Sequence, residues 1–224
     1  MTKADEGAVV GRTAQKREAV LSAATTLFLR NGFRGTSMDE IASVAAVSKQ
    51  TVYKQFADKE ALFCEIVEGV TGNAHDVIDT LAAAFGDTLA ATRDELEKRL
   101  RAVAHVYLDA VLRTQVLSLR RLIIAEAERF PDLARRYYEQ APARGIDVIA
   151  DRLRPYADAD MVVADDLRLA AAHFAYLALS IAQDRALFLP AELPTADERR
   201  RLAAAAARAF LAAYGSTEPD VDEP

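Results

Sequence analysis

Two helix-start signals lie only 11 residues apart, at Ser37 and Ser48, and they constrain this chain more than any other feature. Ser37 and Glu40 have the S-x-x-E spacing of a capping box, so a helix starts directly after Ser37. That helix can run only to about Ala45, because Ser48 is itself a good N-cap for a second helix. The stretch Ala46-Val47-Ser48 is then a tight turn. The spacing therefore predicts two short helices in a helix-turn-helix arrangement.

The rest of the chain has the apolar spacing of helices almost throughout and no strand-like alternation. A longer helix precedes the pair and ends at Asn31-Gly32, as a C-cap does. Proline and capping residues divide the remainder, and Pro142 is expected to break or kink its helix. We predict an all-α protein of nine helices, of which those after the pair span about 59–84, 92–112, 115–129, 131–154, 163–188 and 195–214.

Composition indicates a soluble globular chain, since 51% of the residues are hydrophobic and 28% are charged. No segment reaches about 18 uninterrupted apolar residues, and the first residues lack the apolar run of a signal peptide. The single Cys64 cannot form an intrachain disulfide, which agrees with a reducing compartment. We therefore expect a cytoplasmic protein without a membrane partner.

Charge is distributed unevenly between the two ends. Residues 1–56 carry eight Lys/Arg and five Asp/Glu, a net charge of +3, whereas residues 57–224 carry a net charge of −9. A basic head on an acidic body indicates that only the head meets a polyanion.

The second short helix, within "SKQTVYKQFADKE", exposes more polar side chains than a structural helix needs. The inward positions of the pair are small or apolar: Ile41, Ala42, Val47, Val52 and Phe56. A DNA major groove accepts a helix whose outer face carries donors and acceptors. On this interpretation Lys49 and Gln50 read base edges, Thr51 contacts a base or a phosphate, and Tyr53 and Lys54 contact the DNA backbone. The residues alone leave a solvated surface as an equal alternative.

Residues 14–63 closely resemble the DNA-binding domain of the TetR family of bacterial transcriptional regulators. The matching run is "AVLSAATTLFLRNGFRGTSMDEIASVAAVSKQTVYKQFADKEALF". The resemblance implies phosphate contacts by Thr36 and Ser37, base contacts by Lys49, Gln50 and Thr51, and phosphate contacts by Tyr53 and Lys59. One residue departs from the family pattern, because Ala46 stands where the family commonly has glycine in the turn. If that position needs a positive φ, alanine costs about 1 kcal/mol there.

The C-terminal part is less informative. The segment "RLIIAEAERFPDLARRYYEQAPARG" resembles a subgroup with an AefR-like C-terminal domain, which implies ligand binding and dimerisation. We predict a flexible arm over 1–12, a DNA-binding domain over 13–58, a ligand-binding and dimerisation domain over 59–214 and a disordered acidic tail over 215–224. The last two helices carry more apolar surface than one face can bury, so they are expected to pair with a second copy, with packing inside the protein's own core as the alternative. Two recognition helices about 34–36 Å apart would then read a near-palindrome.

A pocket for a small-molecule effector is expected where aromatic and lone polar side chains lie on apolar faces. The candidates are Phe85, Tyr107, Tyr138, His173, Phe174 and Tyr176, each of which is also compatible with ordinary core packing. The three histidines have no metal-ligand spacing, so we expect no metal and no cofactor.

Three classes of function remain open on the sequence. The first is a dimeric repressor released from its operator by an effector. The second is an enzyme on an all-α scaffold, which the absence of P-loop, G-x-S-x-G and H-E-x-x-H motifs disfavours. The third is a helix-turn-helix module that docks onto proteins without binding specific DNA.

Overall fold

The computed structural model describes residues 3–72 and 74–216, with side chains described over 13–69 and 77–216. Within these ranges the chain is all-α, with no strand and one isolated antiparallel bridge between Val162 and Gly215. Eleven α-helices and one π-helical segment are present: α1 Lys3–Asn31, α2 Met38–Val44, α3 Lys49–Gln55, α4 Lys59–Gly72, α5 Ala74–Ala84, α6 Arg93–Val111, α7 Thr114–Glu126, α8 Pro131–Tyr138, the π-helical segment Glu139–Ala143, α9 Arg144–Asp158, α10 Leu167–Phe188 and α11 Ala196–Tyr214.

The helices form two compact units. The head unit comprises residues 1–72 together with 118–137, and the body unit comprises residues 73–117 together with 138–224. The predicted boundary between residues 58 and 59 therefore falls inside the head unit. Sequence order alone assigned α4 and the 118–137 segment to the C-terminal domain, but both supply aromatic side chains to the head core.

Four phenylalanines hold the head unit together: Phe28 of α1, Phe33 of the following loop, Phe63 of α4, and Phe130 just before α8. Their ring centroids lie 5.1 to 5.8 Å apart in stacked, tilted and edge-to-face pairs. Phe28, Phe33 and Phe63 are almost fully buried. Such a cluster contributes apolar burial and favourable ring–ring geometry at the same place.

Lys59, at the start of α4, fixes the loop that leads into α2. Its ammonium donates to the backbone carbonyls of Phe33 at 2.9 Å and Thr36 at 2.8 Å. The same nitrogen lies 4.4 Å from the centroid of the Phe33 ring. These charge-assisted bonds satisfy two loop carbonyls that lack a helical partner.

The turn between α2 and α3 is a Schellman motif with alanine at the left-handed position. Ala46 N–H donates to Ser43 O at 3.2 Å, and Val47 N–H donates to Ala42 O at 3.1 Å. This pair of bonds requires a positive φ at the residue after the C-cap, and Ala46 has φ 52°. The positive φ suspected at the position where alanine replaces glycine is thus confirmed. The predicted N-caps are confirmed as well, since the hydroxyls of Ser37 and Ser48 accept from the N–H groups of Glu40 and Thr51.

The body unit packs α5, α6, α9, α10 and α11 around one continuous apolar core. Alanines on α10 and α11 allow close approach of the helices, and Phe174 packs edge-to-face on Phe210 at 5.3 Å. The helix starts predicted near residues 92 and 195 carry caps, with Thr92 at the start of α6 and a full Thr195–Glu198 capping box at the start of α11.

Several predicted boundaries differ from the structure. The regular α-helix is interrupted around Pro142, as expected, but by the π-helical turn Glu139–Ala143 and not by a loop. Helix α9 then continues through Pro155 to Asp158, beyond its predicted end at 154. The arm predicted over residues 1–12 is helical from Lys3, since no proline interrupts it and Ala, Lys and Glu favour a helix.

At the other end, the predicted tail begins later than residue 215. Ser216 N–H donates to Met161 O and Gly215 bridges Val162, so both residues belong to the body unit. The remainder of the predicted tail, 217–224, and the first two residues of the predicted arm lie outside the described residues. The predicted helix over 59–84 is present on both sides of Asn73, which also lies outside them.

Replacing Ala46 by glycine is expected to stabilise the head unit by about 1 kcal/mol, because glycine adopts the left-handed conformation without a Cβ clash. Slower hydrogen exchange of the α2 and α3 amides in the full chain would measure this gain. Ala45→Gly is the matched control, since Ala45 has φ −74° and glycine there only adds unfolded-state entropy. Equal effects of the two changes would contradict the assignment of strain to Ala46.

Replacing Lys59 by methionine is expected to destabilise the head unit by about 1–3 kcal/mol, since two carbonyls lose their charged donor while the aliphatic stem remains. Chemical denaturation followed by circular dichroism and by head-unit amide exchange would measure the loss. Lys54→Met serves as the control, because Lys54 is exposed and has no ion pair among the described residues. A stable Lys59→Met head unit would show that the loop is held by other contacts.

Candidate DNA-binding surface

Helix α3 is held by one buried side chain and presents the rest of its surface to solvent. Val52 is fully buried, and Phe56 at the C-cap is 3% exposed. Lys49, Gln50, Tyr53 and Lys54 are exposed, as predicted for a helix whose outer face meets a partner. Tyr53 is the most notable of these, because 47% of a large aromatic side chain is in solvent. An exposed polar face on so firmly anchored a helix suits insertion into a groove.

Thr51 is half-buried and turned partly toward the cap of its own helix. Its hydroxyl shares a 2.7 Å hydrogen bond with the hydroxyl of Ser48, and its backbone N–H also donates to that oxygen at 3.1 Å. The methyl group of Thr51 remains the part of the side chain that can contact a base. Its predicted contact with DNA stays a prediction.

Lys49 is the first residue of α3, and its ammonium is paired within the protein. It lies 2.7 and 2.9 Å from the two carboxylate oxygens of Asp39 in the first turn of α2. The hydrogen bond to Asp39, and then the charge of that carboxylate, raise the pKa of Lys49 above its ordinary value. Lys49 is therefore charged at neutral pH and exposed, but Asp39 competes with any outside partner for its ammonium.

The two residues before α2 differ sharply. Thr36 is 2% exposed, and its hydroxyl donates to Gly32 O at 2.9 Å. This buried hydroxyl is not available to a phosphate, so the structure does not support the contact predicted for Thr36. Ser37 is exposed and uses its oxygen as the α2 cap, which leaves its hydroxyl proton free to donate. The phosphate contact of Ser37 stays a prediction.

The predicted phosphate contact of Lys59 has the same difficulty as that of Thr36. Two of its three ammonium protons are used by the carbonyls of Phe33 and Thr36. The family resemblance implied that Lys59 contacts a DNA phosphate, whereas in the structure its ammonium binds backbone carbonyls of its own loop. Sequence spacing could not distinguish the two, since a lysine in the first turn of a helix suits either.

Arg34 is a candidate that the sequence interpretation missed. It is exposed in the loop that Lys59 holds, three residues before Ser37, and it has no ion pair among the described residues. A basic residue in the glycine-rich turn "NGFRGTS" was the available signal. Its position beside the start of α2 makes it a candidate phosphate contact.

The six residues predicted for an effector pocket lie in two different environments of the body unit. Phe85, Tyr107 and Phe174 belong to the buried core. Tyr138 and Tyr176 are 52% and 53% exposed, and His173 is exposed with its Nδ1 hydrogen-bonded to the hydroxyl of Tyr214. Three of the six are thus packed inside and three face solvent, and ligand binding by these residues stays a prediction.

A different concavity lies between α6 and α11 of the body unit. It has a volume of about 430 Å³, with alanines as its apolar floor and basic residues around it. Lys98 and Arg101 have no ion pair in the described part of the chain, whereas Arg200 pairs with Asp197 and His105 lies 3.6 Å from Asp109. The lining residues are Lys98, Arg101, Ala102, His105, Arg200, Ala203 and Ala204.

The residues that the structure describes contain neither a membrane-spanning helix nor a metal-binding cluster. None of the described helices is both long and apolar enough to cross a membrane. The described His, Cys, Asp and Glu side chains include no group of three that could hold a metal ion.

Known proteins resemble this chain over both units. Residues 20–66 match the model for bacterial regulatory proteins of the tetR family, and residues 98–216 match the model for the C-terminal domain of AefR-like transcriptional repressors. The transcriptional activator FasR of Mycolicibacterium smegmatis is 31% identical over 97 residues, which are 43% of this chain and 41% of FasR. The chain thus matches less than half of the length of that curated relative.

Two solved structures match almost the whole chain. A TetR-family transcriptional regulator from Mesorhizobium loti is 35% identical, with a TM-score of 0.79 over 92% of this chain and 99% of its own. The flavonoid-responsive regulator FrrA is 30% identical, with a TM-score of 0.68 over 92% of this chain and 100% of its own. With a family model over more than half of its length and a full-length relative above 30% identity, the chain belongs to the TetR family of helix-turn-helix transcriptional regulators.

Proposed function

We propose that this protein is a homodimeric repressor that binds a near-palindromic operator in double-stranded DNA and is released from it by a small-molecule effector. The outer face of α3 is the observation that carries the proposal. It exposes Lys49, Gln50, Tyr53 and Lys54 on a helix fixed by buried Val52. Amide and ammonium donors at the N-terminal end of such a helix suit base edges in the major groove. The proposed place of action is the cytoplasm.

Dimerisation is supported by an apolar stripe on α10 that the body unit leaves uncovered. Leu177, Ile181 and Phe188 follow one another four and seven residues apart, and Leu169 and Tyr176 lie seven residues apart beside them on the same broad helix face. Each is more than 40% exposed although large and apolar: Leu169, Tyr176, Leu177, Ile181 and Phe188. A patch of this kind is unusual on a monomer. A second copy is the proposed occupant, because it would place two α3 helices on one duplex, and isologous pairing buries the same stripe from both chains.

Effector control is supported by two observations. The groove between α6 and α11 offers Lys98 and Arg101 to an acidic ligand. The segment 118–137, which leaves and re-enters the body unit, brings Arg129 and Phe130 against Phe33 in the head unit. Phe33 belongs to the loop that leads into α2, so a change in that segment would reach the DNA-binding helices through direct contacts.

Repression is preferred to activation because the C-terminal model that matches this chain describes transcriptional repressors. FasR, which shares a shorter match, is an activator, so the direction of control is part of what an experiment must establish.

Specific binding would be measured by selecting duplexes from a randomised pool, followed by fluorescence anisotropy over a salt series against random DNA. Gln50→Ala is expected to lose about 1–3 kcal/mol on the selected operator and to relax the preference at one position. Tyr53→Phe should weaken all sequences by a similar factor, since it removes a backbone contact. Gln140→Ala, an exposed glutamine of the body unit, is the matched control.

Wild-type binding that prefers no sequence would overturn the proposal and favour a protein-docking role. With an operator in hand, release by flavonoids and by simple organic acids would be titrated on the same duplex, because FrrA is a flavonoid-responsive regulator and the groove is basic.

Replacing Ile181 by glutamate is expected to weaken the dimer about a hundredfold, because an unpaired carboxylate would be buried in the interface at a cost of about 3 kcal/mol. Sedimentation equilibrium would measure the dissociation constant. Ile124→Glu is the matched control, since Ile124 is 61% exposed on α7, outside the stripe, against 68% for Ile181. A monomeric wild type, or a dimer whose dissociation constant is unchanged by Ile181→Glu, would show that the α10 stripe is not the dimer interface.

A further inference from the structure

Among the residues whose side chains the structure describes, Asp39 is the one acidic residue joined to the outer face of α3. Both of its carboxylate oxygens contact the ammonium of Lys49, at 2.7 and 2.9 Å, and this contact links the first turns of α2 and α3. The two side chains are 65% and 59% exposed. The pair therefore lies on the surface that the proposed function turns toward DNA.

Stability gives little reason for this pair. An exposed salt bridge contributes little to stability, because solvent screens the charges and both side chains lose rotamer freedom. The helix ends are already capped by Ser37 and Ser48, whose oxygens accept from Glu40 N–H and Thr51 N–H. An acidic residue also favours the start of a helix, but Glu40 supplies that charge to α2 as well. The fold would tolerate an amide in place of the Asp39 carboxylate.

DNA binding gives a stronger reason, because the charges near α3 are not equivalent. Lys54 and Arg34 are exposed and have no ion pair among the described residues, whereas Lys59 is bonded to backbone carbonyls. Of these four cations, Lys49 is the one that the structure pairs with a carboxylate. It can bind DNA only by exchanging Asp39 for another acceptor or by sharing the ammonium with it.

Loss of the Asp39 contact by Lys49 affects the affinity for non-specific DNA and for the operator differently. Non-specific binding rests almost wholly on phosphate contacts, so a carboxylate that holds one lysine and repels nearby phosphates weakens it directly. At the correct base pair, a guanine offers two acceptors to a lysine in the major groove and compensates for the loss of Asp39. A repulsive group that acts mainly against wrong partners raises the ratio of specific to non-specific affinity.

We propose that Asp39 is a specificity-determining residue of this protein: it holds Lys49 and suppresses binding to DNA that lacks base acceptors opposite that lysine. The inference rests on the proposed function, since it assumes that α3 enters the major groove. It assigns Asp39 no contact with DNA, and Asp39 acts as a positioning residue through Lys49.

The test compares wild type, Asp39→Asn, Lys49→Gln and the double variant on random duplex and on the selected operator, over a salt series. Asp39→Asn is expected to tighten binding to random duplex about three- to tenfold at low salt, the size of one unscreened charge interaction near 4 Å. The logarithmic salt slope should steepen by about one, since one further lysine reaches phosphate. Affinity for the operator should change less, so the specificity ratio should fall.

Lys49→Gln separates the coupling from a general charge effect. If Asp39 acts through Lys49, the added Asp39→Asn change should have little effect once Lys49 is gone. Asp132→Asn on α8 of the head unit is the matched control, because it removes the same charge from an exposed residue away from α3. An undiminished effect in the Lys49→Gln background, or an equal effect of Asp132→Asn, would overturn the proposal.

Two further measurements distinguish a failure of the role proposed for Asp39 from a failure of the proposed function. A wild type without sequence preference would refute the proposed function whatever the variants do. The pair itself is tested without DNA by NMR titration of the Lys49 side chain: its pKa should fall in Asp39→Asn, since the carboxylate raises it. An unchanged pKa together with unchanged random-duplex affinity would refute the role of Asp39 even if the protein binds an operator. Circular dichroism of each variant would confirm that α2 and α3 still form.

Discussion

The head unit depends on how Phe33 is held. Its ring packs in the aromatic cluster, Arg129 lies 4.9 Å from its centroid and the Lys59 ammonium lies 4.4 Å from it. The Phe33 carbonyl accepts from that same ammonium. One residue thus joins α1, α4 and the 118–137 segment to the loop that starts α2. Since α2 and α3 are only seven residues each, they are too short to be stable alone and take their position from this loop.

This arrangement changes how the basic residues of the head are interpreted. Net charge identified the head as the part that meets a polyanion, but it treated every cation as equal. In the structure, Lys59 is used internally, Lys49 is shared with Asp39, and Lys54 and Arg34 are exposed to solvent. These four cations therefore differ in how freely each can contact DNA. Affinity for phosphate and selectivity for bases can be assigned to different residues on that basis.

Helix capping explains why the local structure was predictable. Ser37, Ser48, Thr92 and Thr195 all cap helices, because each hydroxyl accepts an N–H that has no partner inside its helix. Proline was a weaker guide to detail, since the interruption expected at Pro142 takes the form of a π-helical turn and the chain stays helical through it. The outward face of α3 was predicted for a similar local reason: a helix buries few positions once Val52 and Phe56 are assigned to the core. The strained turn at Ala46 was foreseen because glycine is the usual residue there.

The sequence by itself determined the all-α class, the helix-turn-helix pair and the polar face of α3, because caps and apolar periodicity act over a few residues. Only the tertiary structure decided that α4 and residues 118–137 belong to the head, that Thr36 is buried, and that Lys59 points inward. It also separated the six aromatic and polar candidates of the body into three core residues and three exposed ones. The physical reason is that burial and ion pairing depend on partners distant along the chain, such as Phe130 for Phe33 and Asp39 for Lys49. The same side chain is a ligand contact or a structural support according to which of those partners it meets.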